Sequence, residues 1–110
     1  MSSPSEREHY RIQYPTAARP RIVIEGGSYE VIDISEHGVR FRIDEDARLG
    51  VGDPLLGQVR FKRTDPVTVT GTVLRIVGRE VAARLETGVP LRTMIEEQRY
   101  LREQHRGMAW

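Results

Sequence analysis

The chain predicts a mostly-β fold: a six-stranded antiparallel (split) β-barrel closed by a C-terminal α-helix. Three observations carry this expectation. Six short runs alternate apolar and polar residues, the period of a strand with one buried face. Gly, Asp and Pro clusters separate them at hairpin spacing. After Val89 the pattern changes to helix formers with apolar residues three and four apart.

The elements follow in order. "RPRIVIE" (19–25) reads as a strand, Gly26-Gly27 as a tight turn, and "YEVIDI" (29–34) as the returning strand of a hairpin. "GVRFRI" (38–43) puts Val39, Phe41 and Ile43 on one face and Arg40 and Arg42 on the other. "DEDARLGVGDP" (44–54) is a loop, "LLGQVRF" (55–61) a fourth strand, and "KRTDP" a turn. "VTVTGTVLRIV" (67–77) is β-branched and alternating, with Gly71 marking a bulge or bend. Gly78-Arg79 turns the chain into the last strand, "EVAARLE" (80–86). A helix over about 90–106 starts at Pro90 and sets Leu91, Met94, Ile95, Gln98 and Leu101 on one face. That stripe suits packing on the sheet, with a dimer interface as the other use. At the other end, "REHYRIQYP" has no clean periodicity and Pro15 ends any helix there. The expected organisation is a flexible leader over 1–14 and one barrel domain over 15–110.

Composition narrows the function classes. The chain has 110 residues, 30% of them charged, and no Cys, so disulfide and thiolate chemistry are excluded. No apolar run reaches the length of a membrane span, and "MSSPSEREHY" lacks a signal-peptide core. A cytoplasmic protein is the simplest expectation. A net charge of +1 is too small for a broad nucleic-acid surface, though a few arginines suffice for a small anion. Lys62 is the one lysine among 17 cationic side chains, and arginine's planar fork suits phosphates and guanine edges. The same bias also follows from a GC-rich genome. A single-strand-binding barrel would want exposed aromatics, and the chain has one Trp, four Tyr and two Phe.

An enzyme is not expected. Asp33, Ser35 and His37 stand at i, i+2 and i+4 of an extended chain, side by side and not in a relay that activates a hydroxyl. His9, His37 and His105 lack metal-ligand spacing, so no metal or cofactor is expected.

Two short patterns remain. "REHYR" separates Arg7 and Arg11 by three residues; alone it reads as a solvated charge pair. "DISEHG" contains Asp33-x-Ser35-x-x-Gly38; alone it reads as a turn, with Asp and Ser bonding nearby backbone and Gly taking a positive φ. In this order, on a six-strand pattern, the chain resembles the PilZ domain family. That family's signature is Arg-x-x-x-Arg before the first strand and Asp/Asn-x-Ser-x-x-Gly after the second. The following "VRF" and the later "GTVLR" are similar too.

The resemblance implies a receptor for the bacterial second messenger cyclic di-GMP, with ligand-binding residues Arg7, Arg11, Asp33, Ser35 and Gly38. Arg forks onto guanine or phosphate; Asp accepts from the guanine N1–H and N2–H donors; Ser adds a hydroxyl; Gly removes a Cβ where the ligand approaches. Arg40 and Arg75 are further candidate contacts. Many members carry a third Arg just before the pair; here Glu6 stands there, which favours one ligand per chain over a stacked pair. The resemblance also implies a conformational change that signals to a separate protein, in motility, pilus or exopolysaccharide machinery. A PilZ-fold interaction module that binds no nucleotide is the alternative.

Overall fold

The computed structural model describes residues 11–108. Its strands are β1 (Ile12–Gln13), β2 (Arg21–Ile24), β3 (Gly27–Ser35), β4 (Gly38–Arg42), β5 (Pro54–Arg60), β6 (Val67–Val77) and β7 (Glu80–Thr87), followed by helix α1 (Leu91–Met108). Every pairing is antiparallel: β3–β2–β5–β6–β7–β4, with β4 returning to β3. Six strands therefore close into a barrel, and closure removes the edges of that ring. β1 is an extra strand on β3, with Ile12 opposite Ile34 and Gln13 opposite Asp33. The expected leader over 1–14 thus overlaps the sheet at its last residues. Ile12 and Tyr14 are buried, which accounts for that attachment.

Alternation builds the core. Ile22, Ile24, Val31, Phe41, Leu55, Val59, Val69, Val73, Val81, Ala83 and Leu85 point inward from their strands. The turns are local. Glu25 (φ 49°) and Gly26 (φ 86°) both lie in the left-handed region, so the first hairpin turns on Glu25-Gly26. The expected Gly26-Gly27 turn is therefore one residue off: Gly27 already pairs with Ile24. Gly78 (φ 61°) and Arg79 form the expected two-residue turn between Val77 and Glu80.

The helix covers the barrel with a face that keeps Met94, Gln98 and Leu101 of the expected stripe but turns Leu91 and Ile95 outward. Met94 and Glu97 are buried and Leu101 is partly buried, while Leu91 and Ile95 are 42% and 41% exposed. Apolar spacing alone picked Leu91 and Ile95. The barrel instead takes Glu97, because a partner for its carboxylate lies inside. Among the described residues no helix is long and apolar enough to cross a membrane.

Candidate functional site

The candidate site is an open depression of about 430 Å³ at the β3–β4 hairpin, bordered by β4, β6 and β7. Ser35 pairs with Gly38, so Glu36 and His37 are a two-residue hairpin turn and "DISEHG" carries the end of β3 into β4. The turn is tied to β7: the Leu85 amide donates to the His37 carbonyl at 2.8 Å.

Two β-bulges shape the depression. Between Val31 and Asp33 the β3–β4 register shifts, so Asp33, and not Ile32, stands opposite Arg40. Between Val73 and Arg75 the β6–β7 register shifts, and both Leu74 and Arg75 reach the surface in succession. A bulge adds one residue to one strand and re-aims its side chains. Here the two together aim Asp33 and Leu74-Arg75 at one place.

Asp33 is the centre of charge. Its side chain is only 3% exposed. Arg40 donates to Oδ2 from Nε at 2.9 Å and from Nη2 at 2.6 Å. Arg11 approaches Oδ1 at 3.5 Å from β1's flank, with its own side chain 48% exposed. Arg40 also reaches Glu80 Oε1 through Nη1 at 3.4 Å. Burial of a carboxylate is costly without such partners. Arg75 and Arg84 border the same depression, so four arginines and one buried carboxylate line it. Such an excess favours an anion.

All of the residues singled out from sequence except Arg7 gather here; Arg7, like Glu6, lies outside the described residues. Ser35 Oγ makes only a long 3.5 Å contact to the Gly38 carbonyl, so its hydroxyl is available to a ligand. Gly38 corrects one expectation. It is not among the positive-φ glycines, so the turn does not require it. A Cβ there would meet Ser35 Oγ at 3.5 Å and the Ala83 carbonyl at 3.6 Å, ordinary contacts.

Sequence reading did not select Leu74 and Arg84. Arg84 joins because β4 and β7 pair Gly38 with Arg84, a register set by barrel closure. Leu74 joins because of its bulge, which no local pattern announces. Among the described residues no cluster of His, Cys, Asp and Glu suits a metal ion.

A family model for the PilZ domain matches residues 5–103. The chain belongs to the PilZ family. The match spans both motifs, the closed barrel and most of α1. Among solved structures, the crystal structure of an uncharacterized Legionella protein is similar to this PilZ domain, with a TM-score of 0.60 at 11% identity. The likeness covers 87% of this chain and 97% of that one, and at such identity it is a likeness of fold. No curated protein matches the chain.

Proposed function

We propose that this PilZ domain is a receptor for cyclic di-GMP in a bacterial cytoplasm, which changes conformation on binding and signals to a partner protein. PilZ domains are binding modules of this kind, and the proposal gives the family's ligand to this chain. The observation that carries it is the setting of Asp33: a buried acceptor beside Ser35 and Gly38, in a depression that Arg11, Arg40, Arg75 and Arg84 also line. A cyclic dinucleotide offers the complement. Its guanines present N–H pairs to a carboxylate, and its two phosphates seek guanidinium forks. Arg7 is the second leader arginine for this role.

Calorimetric titration with cyclic di-GMP tests the reading. One ligand per chain is expected, since a stacked pair would bring four phosphate charges to a pocket with Glu6 nearby in sequence. Glu6→Arg should strengthen binding and admit a second ligand. The absence of any heat or shift at high ligand concentration would overturn the reading. A nucleotide-independent interaction module has one observation in its favour: Arg40 already occupies the Asp33 carboxylate.

A further inference from the structure

We propose that Arg40 is an internal competitor for the Asp33 carboxylate, standing where a guanine edge docks and yielding to it by moving onto Glu80. The inference rests on the cyclic di-GMP reading above and concerns what sets affinity and specificity at that site.

A guanine edge presents N1–H and N2–H side by side, and a carboxylate recognises such a pair best with both oxygens. A guanidinium presents the same kind of parallel pair. Arg40 uses Nε and Nη2 in this way, and both bonds fall on Oδ2 at 2.9 and 2.6 Å. Oδ1 faces Arg11 at the longer distance of 3.5 Å. A guanine edge that takes both oxygens must therefore displace Arg40 from Oδ2.

The displacement has a built-in destination. Glu80 Oε1 lies 3.4 Å from Arg40 Nη1, the guanidinium nitrogen that makes no bond to Asp33. Glu80 is on β7, and its side chain is 44% exposed. A guanidinium that gives up Asp33 keeps an opposite charge within reach, and Asp33 keeps a hydrogen-bonded partner when guanine arrives. Neither charge is stranded, which is the condition for exchanging partners at a buried carboxylate. The Arg40 side chain is 36% exposed, and among the described residues its guanidinium makes no hydrogen bond other than those to Asp33 and Glu80, so no third partner holds it in place. A ligand that lacks the paired donors gains nothing from Asp33 and leaves Arg40 in place, so the competition sharpens selection for guanine.

Charge counting and competition predict opposite signs. Removing an arginine from an anion site should weaken binding, and removing a nearby carboxylate should strengthen it. Competition predicts that Arg40→Ala tightens cyclic di-GMP by about three- to tenfold, the range of one net hydrogen bond. It predicts that Glu80→Gln weakens binding by a similar factor, since Arg40 then has no second berth. The experiment is calorimetric titration of wild type, R40A and E80Q with cyclic di-GMP at one salt concentration, with thermal melts of each. E80Q alters an exposed side chain and keeps the test informative if R40A melts early. Tighter R40A and weaker E80Q establish the competitor. Weaker R40A, or tighter E80Q, overturns it and makes Arg40 an ordinary ligand contact. Binding by wild type in either case leaves the receptor reading intact. If neither wild type nor R40A takes up cyclic di-GMP, the receptor reading fails, and the competitor with it.

Discussion

The Tyr14 hydroxyl donates a 2.6 Å hydrogen bond to Glu97 Oε1 across 83 residues of sequence. Tyr14 follows the leader motif by three residues and its amide donates to the Ile32 carbonyl, beside Asp33. Glu97 lies on α1. The bond therefore joins the chain segment that carries Arg11 to the helix that closes the barrel. Both side chains are buried, at 5% and 2% exposure, and Glu97 Oε2 has no partner among the described residues. A hydrogen bond of this kind resists loss, because its removal leaves a buried acceptor unmet.

Tyr14→Phe should therefore destabilise the domain by about 1–3 kcal/mol, the cost of an unsatisfied buried polar group. Denaturant unfolding of the variant measures it. A change below about 0.5 kcal/mol would mean that water or a rearranged Glu97 replaces the phenol.

Burial raises the Glu97 carboxyl above its ordinary value of 4.5, with the Tyr14 hydrogen bond and Arg63 opposing the rise and Glu96 adding to it. A carboxyl raised on folding contributes fully below its unfolded value, and the contribution is lost as pH rises through the folded one. Wild type should thus lose stability relative to Glu97→Gln as pH rises above 4.5. Unfolding free energies of the two proteins across that range check the sign. A constant difference would show that Glu97 does not titrate differently in the fold.

Arg11→Ala and Asp33→Ala should each weaken cyclic di-GMP binding by about five- to 150-fold, the loss of about 1–3 kcal/mol from one charge-assisted contact. Their stabilities should part company. Arg11 is half exposed, and its removal should leave the melting temperature nearly unchanged. Asp33 is buried, and from sequence it would count as a surface residue; its loss takes away Arg40's short bonds and should lower the melting temperature by several degrees. Equal melting of the two variants would argue against the Asp33–Arg40 pair.

Two glycines should separate fold from binding. A Cβ on Gly71 would run into the Arg84 carbonyl oxygen, where β6 shifts register against β7. Gly71→Ala should cost stability by about 1–3 kcal/mol, the typical penalty of overpacking. Gly38→Ala meets only ordinary contacts and should fold as wild type, yet fill the floor beneath the ligand and weaken cyclic di-GMP binding. Melting curves and titrations of the pair decide this. A Gly38→Ala protein with wild-type affinity would remove Gly38 from the site.

Much of this architecture was legible because it is local. Alternation of apolar residues, the turn at Gly78-Arg79 and the helix after Pro90 depend on neighbours in the chain, and they appear where the residues place them. The bulge at Gly71 was legible as well, since a glycine inside a β-branched run marks close backbone approach. The motifs "REHYR" and "DISEHG" were legible as patterns of chemistry, and Arg11, Asp33, Ser35 and Gly38 from them meet at one depression.

Other features were decided only by tertiary structure. The bulges before Asp33 and after Val73 arise from fitting strands around a closed barrel, and they determine that Arg40 faces Asp33 and that Leu74 and Arg75 both reach the surface. Arg84 enters through strand order, since β7 pairs with β4 across a long stretch of chain. Glu97 is the clearest case. A carboxylate on a helix reads as solvent-facing, and only a phenol brought from the other end of the chain makes its burial tolerable. Periodicity reports which side chains avoid water; the partners that let polar ones join them come from distant segments, and only the closed fold brings those together.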